Sequence, residues 1–320
     1  MASRNILQLL VMFAIATSAF ATLSSTRYYN KVCPKALPTI KAIVKEAVKN
    51  ETRMAASLLR LHFHDCFVQG CDGSILLDST ATMVSEKEAL PNKNSARGFE
   101  VIDKIKAKVD EVCGRPVVSC ADILAVAARD SVVLLGGSSW DVRLGRKDST
   151  IANATLALFN LPNASLELPS LLQKFEQQGL NAKDLVVLSG GHTLGVSQCR
   201  FFRPRIYNDT NINRSYAKKL QGSCPQTVGD GDTNLEDLDS TAKKFDVAYF
   251  KDILKNKALL HSDQVLVNNR STASYVKSYS NDRKAFFNAF GKSMIKMGNI
   301  GVLTDDQGEV RSSCRIVNSK

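Results

Sequence analysis

The chain has 320 residues, 44% of them hydrophobic, and carries 42 Lys and Arg against 31 Asp and Glu, a formal charge of +11. That length suits one large domain or two lobes around a sizeable core. The lysines are scattered along the chain rather than gathered in one stripe with interleaved aromatics, which argues against a nucleic-acid partner and for a solvated basic surface. A weaker functional reading of the charge is attraction to an acidic extracellular polymer such as pectin.

The first element is a signal peptide over residues 1–21. Arg4 forms a short positive region, Ile6 to Ala16 is apolar, and Ala19-Phe20-Ala21 is a small-x-small cleavage site. Its apolar core falls short of the about 20 residues a bilayer span needs, and no later stretch is long enough, so no membrane is expected. Residues 22–320 then form the mature chain. In an oxidising compartment its cysteines at 33, 66, 71, 113, 120, 199, 224 and 314 imply four bridges, with the connectivity left open. No C-x-x-C pair suggests zinc instead. Six N-x-S/T sequons, at Asn50, Asn153, Asn163, Asn208, Asn213 and Asn269, point to glycan-bearing surface loops.

The mature chain reads as mainly helical. Apolar residues recur at helical spacing over Pro38–Asn50, at Ile102, Ile105, Val109 and Val112, and over Leu168–Gln178, which Gly179 stops. Ala121–Leu135 is a long apolar helix with Gly136-Gly137 as its left-handed cap, and Lys284–Met297 closes the set. Val142–Leu144 and Val302–Val310 are candidates for short strand pairs. Leu144–Pro169 and Phe201–Asp239 read as long loops, of the kind that is functional or pinned in place.

The segment Arg60-Leu61-His62-Phe63-His64-Asp65-Cys66 continues a helical run from Thr52. Arg60 and His64, four apart, share one helix face. His62 lies about 200° round the helix from either, so it cannot chelate a metal together with His64 and reads as a packed structural histidine. A cation beside an imidazole keeps it neutral, which makes His64 a general base with a fixed positive charge at its side. In the following turn the oxygens of Asp65, Asp72 and Ser74, with the carbonyls of Val68 and Gly70, could wrap a hard cation such as calcium.

The run Arg-Leu-His-Phe-His-Asp-Cys-Phe-Val-x-Gly-Cys-Asp-Gly-Ser resembles the distal signature of class III plant peroxidases, the horseradish type. The likeness extends from about Arg27 to Arg315. It takes in Ser95-Ala96-Arg97-Gly98-Phe99, Val118-Ser119-Cys120-Ala121-Asp122-Ile123-Leu124, Leu188-Ser189-Gly190-Gly191-His192-Thr193 and Ser262-Asp263-Gln264.

The resemblance implies an all-α haem peroxidase fold of about ten helices, with short helices and minor β pairs. Its distal lobe (roughly 22–165 plus the C-terminal return) and proximal lobe (roughly 166–280) would sandwich one haem b. It implies Arg60, His64 and Asn92 as the distal catalytic group, Phe63 at the haem edge, and Glu86 with Asn92 in a relay behind His64. His192 would hold the iron and Asp263 would accept its Nδ1 proton. One calcium would take Asp65, Val68, Gly70, Asp72, Ser74 and Glu86, and a second Thr193, Asp239, Thr241 and Asp246. The chain departs from the family at this second site, because Asp239 precedes Asp246 by seven residues and Leu238 stands at the usual eight. Smaller departures are Ser138 and Asp306, in place of the usual Pro and Gly. Pro162 would face aromatic donors. The disulfides would be Cys33–Cys113, Cys66–Cys71, Cys120–Cys314 and Cys199–Cys224.

The implied activity is reduction of hydrogen peroxide with His64 moving the proton, followed by one-electron oxidation of small phenolic donors. The implied setting is the cell wall or apoplast, with roles such as lignin or suberin polymerisation, wall cross-linking and oxidative stress response, and a monomeric protein. Two rival readings are a calcium-stabilised wall-binding protein without turnover and a metal hydrolase. The set Arg60, His64, Asn92, His192 and Asp263 argues against the first, and the absence of any H-E-x-x-H pair against the second.

Overall fold

A computed structural model describes residues 23–319, and the expected signal peptide lies outside the described residues. Helices α1 (Ala36–Asn50), α2 (Met54–Cys66), α3 (Phe99–Cys113) and α4 (Cys120–Leu134) come first. They are followed by α5 (Ala154–Asn160), α6 (Leu168–Gln177), α7 (Ala182–Ser189), α8 (Cys199–Asn208) and α9 (Arg214–Gln221). The last four are α10 (Ala248–Leu254), α11 (His261–Gln264), α12 (Arg270–Asn281) and α13 (Arg283–Met297). Two three-residue strands, β1 (Val196–Gln198) and β2 (Leu235–Asp237), pair antiparallel with Val196 opposite Asp237. The fold is therefore mainly helical, as the periodicity predicts.

Helix α4 is the hub of the first half. Its residues are buried nearly all round, so it has to be enclosed by other helices, and α1 and α2 pack directly on it. Ser119 starts it by accepting the Asp122 N–H, and Gly136, at φ +98°, ends it in the left-handed conformation the sequence predicts. In the second half α7 opens on a reciprocal cap between Asn181 and Asp184 and packs against α12 and α13. Phe245, Phe250, Phe286 and Phe290 form one aromatic cluster there. A smaller apolar cluster of Phe202, Ile206, Leu220, Leu238, Leu259 and Leu260 holds α8 and α9.

The structure amends two readings. Val142–Leu144, a candidate strand, forms none, and Val302–Val310 does not pair on itself around Asp306-Gln307-Gly308. Leu144 instead bonds through its backbone to Ser24 and Ser25, and the bridges to the C-terminal segment come from Lys147 to Leu303 and Asp148 to Glu309. The apolar run was visible, but the chain that covers it is set by tertiary packing. The two long loops are also more regular than they read: the first contains α5, the second α8, α9 and β2. All four disulfides match the pairing the resemblance implies, and Cys199–Cys224 joins the start of α8 to the turn after α9.

The C-terminal return is locked onto the turn after α2 by backbone contact. Cys71 N–H donates to the Ile300 carbonyl, and Cys120–Cys314 ties the tail to α4. Gly70 and Gly301 touch with no room for a side chain: a Cβ on Gly301, at φ +51°, lies 2.6 Å from the Gln69 carbonyl oxygen and 2.9 Å from Gly70 Cα. Gly301→Ala is expected to cost about 1–3 kcal/mol through strain and backbone displacement. Thermal unfolding checks this, and an unchanged midpoint would show that the close approach is not needed.

Candidate active site

Helix α2 presents Arg60 and His64 on one face, as their spacing requires. Arg60 Nε donates to His64 Nε2 at 3.1 Å, while Arg60 Nη2 is anchored on the Pro91 carbonyl (2.8 Å) and Ser95 Oγ (3.1 Å). An arginine can only donate, so Nε2 carries the lone pair and the proton sits on Nδ1. That proton goes to Asn92 Oδ1, and the Asn92 amide is fixed in turn by Nδ2 donating to the Glu86 carbonyl at 2.8 Å. Burial pulls the His64 imidazole well below its ordinary range, and the Arg60 charge lowers it further. Arg60 itself is pulled down to about 10, chiefly by burial, and stays charged at neutral pH. The pair is thus a neutral base and a fixed cation. Burial contributes more than the like-charge repulsion on which the sequence argument relied. Phe63, half-buried, stands edge-on to the His64 ring at 5.1 Å.

The relay behind His64 differs in one respect from its sequence reading. Glu86 meets Asn92 through its main chain, not its carboxylate. The carboxylate accepts the Asn153 N–H at 3.3 Å through Oε1 and leaves Oε2 buried without a partner among the described residues. It lies with Asp65, Asp72 and Ser74, all buried, and Ser74 Oγ, close to the Asp72 and Glu86 carboxylates, makes no well-formed hydrogen bond among the described residues. Asp65 accepts the Gly73 N–H and Asp72 the Ser74 N–H; the Gly70 carbonyl accepts the Asp72 N–H, and the Val68 carbonyl accepts the Asn160 side-chain amide at 2.9 Å. Burial raises Asp65 well above the carboxylate range, Asp72 to about 6 and Glu86 to about 8, and the charges of Asp72 and Glu86 push Asp65 further up. Three crowded carboxylates with orphaned oxygens are a donor set suited to a hard divalent cation.

On the other side of the site His192 lies in a single 3₁₀ turn, Gly190–Thr193, after α7. Gly190 is needed for packing: a Cβ there meets Phe286 at 2.7 Å and Phe250 at 2.9 Å. The turn is therefore pressed on the aromatic cluster. His192 Nδ1 donates to Asp263 Oδ1 at 2.9 Å, and Nε2 makes no hydrogen bond among the described residues. Some 41% of the side-chain surface is open, although Asp263 behind it is only 2% exposed. Burial lowers the His192 imidazole, but the Asp263 charge and bond outweigh it and the net shift is upward; the Arg60 charge also reaches the ring. A free Nε2 lone pair, backed by a carboxylate on Nδ1, is the arrangement of an axial metal ligand and fits a haem iron.

Beside His192, Thr193 Oγ1 donates to Asp239 Oδ2 at 2.7 Å, and Thr241 Oγ1 donates to Asp246 Oδ1 at 3.0 Å. Burial lifts Asp239 to about 7, the Thr193 and Thr241 bonds offset part of this, and Asp246 adds to it. All four residues named from sequence converge. Leu238, at the usual eight-residue spacing, is buried in the smaller apolar cluster, and Asp239 is the carboxylate that meets Thr193. Pro162 is half-buried in the turn after α5.

His62 packs as expected, with its ring against Cys66 Sγ at 3.6 Å. It lies close to Cys66 and Cys71, but both sulfurs are in a disulfide, so the trio holds no metal. Sequence reasoning missed the Arg60 anchors Pro91 and Ser95. It also missed Tyr249, whose hydroxyl donates to Asp263 Oδ1 at 2.8 Å. Tyr249 sits in the apolar stripe of α10 and by periodicity is indistinguishable from core.

Residues 40–282 match a family model described as peroxidase. The chain is 53% identical over 313 residues to Peroxidase 4 of Vitis vinifera, covering 98% of this chain and 96% of that protein. It is 54% identical over 314 residues to Peroxidase 22.3 of Oryza sativa subsp. japonica (98% and 97%). With Peroxidase P7 of Brassica rapa subsp. rapa it shares 52% identity over 295 residues (92% and 99%).

The neutral, buried His62 makes a pH prediction. Burial, with a further contribution from Arg146, lowers it to about 3, below the about 6.5 of an unfolded chain. Its stabilisation is therefore present above pH about 6.5 and is lost as pH falls toward 3. The stability gap between wild type and His62→Gln is expected to narrow by about 3 kcal/mol from pH 7 to pH 4. Urea unfolding at each pH measures it; a constant gap would contradict a neutral buried ring.

Proposed function

The chain belongs to the peroxidase family and is a haem-dependent enzyme acting on hydrogen peroxide; from that premise we propose that Arg60, His64 and Asn92 activate the peroxide at a haem b whose iron His192 holds. The observation that carries this assignment is the state of His192, with Nδ1 committed to Asp263 and Nε2 free. When bound, the haem supplies the redox chemistry, accepting two oxidising equivalents from peroxide and passing them to donors one at a time.

The rest is acid–base work by side chains. Peroxide displaces the Arg60–His64 hydrogen bond and places one oxygen against Nε2. His64 takes the proton of that oxygen and returns it to the other, which leaves as water. Asn92 keeps the ring in the tautomer that accepts at Nε2 throughout. Arg60, held by Pro91 and Ser95, stabilises the negative charge that builds on the departing oxygen. Asp263 keeps the proximal imidazole electron-rich. Phe63 lines the haem edge, and Pro162 faces phenolic donors at the entrance.

The two carboxylate clusters are read as calcium sites. The first comprises Asp65, Val68, Gly70, Asp72, Ser74 and Glu86, the second Thr193, Asp239, Thr241 and Asp246. The orphaned oxygens and upward-shifted carboxyls support this reading. Residues 22–320 act as one peroxidase domain of two lobes, secreted to the cell wall or apoplast as a monomer. There the protein oxidises phenolics in polymerisation or cross-linking, and its basic surface is drawn to acidic wall polysaccharide. No helix among the described residues is long and apolar enough to cross a membrane.

Two experiments test the proposal. His64→Leu is expected to slow the peroxide-dependent loss of Soret absorbance by about 100- to 10,000-fold in stopped flow, and Arg60→Leu by about 100- to 1,000-fold. His192→Ala should lose the Soret band that bound haem gives the wild type, and a wild-type rate in His64→Leu would remove it as the base. For the cations, metal analysis is expected to find two calcium ions per chain. A chelator should lower the unfolding midpoint, and calcium at about 100 times its Kd restores about 2.7 kcal/mol per site. An Asp65→Asn protein that keeps both ions would end the distal assignment.

A further inference from the structure

Asp263 is a carboxylate shared between two donors. Its Oδ1 accepts the His192 Nδ1–H at 2.9 Å and the Tyr249 hydroxyl at 2.8 Å; Oδ2 lies 3.1 Å from the same His192 nitrogen. Among the described residues no other donor reaches it: the nearby Arg205 guanidinium is spent on Gln264, Ala258, Asp209 and Asn211. Tyr249 is 1% exposed, its ring stands edge-on to His192 at 6.2 Å and to Phe250 at 5.1 Å, and its hydroxyl donates to Asp263 with the Ser189 side chain also beside it. Burial, with the Asp263 charge second, raises the phenol well above its usual range, so it remains a donor.

Two donors on one oxygen compete for the same electron density. The stronger the Tyr249 bond, the weaker a base Asp263 is toward the His192 proton, and the less anionic the imidazole becomes. We propose that Tyr249 is a positioning residue that sets the electron donation of the axial ligand by sharing Asp263 with His192. The proposal rests on the reading of His192 as the haem ligand and goes beyond it by naming the group that limits its basicity. Its place in the fold suits the role. Helix α10 starts two residues after Asp246, whose Oδ1 accepts the Ala248 N–H at 2.8 Å and so fixes the first turn, where Tyr249 lies.

The test uses the haem-loaded protein and two readouts besides turnover: the iron–histidine stretching frequency of the ferrous form by resonance Raman, and the midpoint potential of the ferric/ferrous couple. Tyr249→Phe keeps the ring and removes only the hydroxyl. With Asp263 left to His192 alone, the frequency is expected to rise and the potential to fall. Asp263→Asn should move both the opposite way, and adding Tyr249→Phe to it should produce no further change. If Tyr249→Phe leaves both readouts at wild-type values while Asp263→Asn shifts them, Tyr249 is a packing residue and the proposal fails. If Asp263→Asn itself changes neither, the proximal reading of His192 and Asp263 fails instead. Should Tyr249→Phe bind haem poorly, Tyr249→Leu, which also lacks the donor, supplies the comparison, and a frequency and potential left at wild-type values in it overturn the proposal.

Discussion

The bond between His192 and the buried Asp263 is the constraint around which the structure is arranged. The Asp263 carboxylate is 2% exposed, and the imidazole and the Tyr249 hydroxyl supply the hydrogen bonds it loses with its water. In return the carboxylate fixes which nitrogen of His192 bears the proton and leaves Nε2 open. Three segments distant in sequence must meet for this: the turn after α7, helix α10 and helix α11. The aromatic cluster brings them together, since Phe250 adjoins Tyr249 in sequence and Phe286 presses on Gly190.

The opposite side solves a different problem with local means. Arg60 and His64 are placed by helix geometry alone, but their protonation states need context. Burial on α2 strips solvent from the imidazole, and Asn92, brought in by the turn after residue 86, takes its Nδ1 proton. The Arg60 guanidinium is aimed by Pro91 and Ser95 from the same turn. One loop thus orients both members of the pair.

That loop and the His192 turn are each adjacent to a group of carboxylates. Asp65 directly follows His64, and Thr193 directly follows His192, so whatever neutralises those clusters also steadies the two histidines. Repulsion among Asp65, Asp72 and Glu86 works against the fold until a cation or protons relieve it. The Cys66–Cys71 disulfide and the Gly70–Gly301 contact hold the first cluster closed in the meantime.

Local information was enough for much of this. The 3.6-residue periodicity located the principal helices, the four-residue spacing put Arg60 with His64 and turned His62 away, and the resemblance to class III plant peroxidases, not spacing, pointed to His192, Asp263 and the disulfide pairs. What spacing could not supply was the contact between segments far apart in the chain. Val142–Leu144 has the pattern of a strand, yet its backbone partners are Ser24 and Ser25. β1 and β2, at three residues each, are too short to show a period. The Glu86 carboxylate turns to the group of Asp65 and Asp72, and its carbonyl serves Asn92. Tyr249 reads as one more apolar-face residue until Asp263, 14 positions later, is seen at its hydroxyl. The sequence by itself determined which residue types share a helix face, because that follows from the pitch of a hydrogen-bonded backbone. The tertiary structure alone decided which donors and acceptors each buried polar group meets, because those partners are selected by packing across the whole chain.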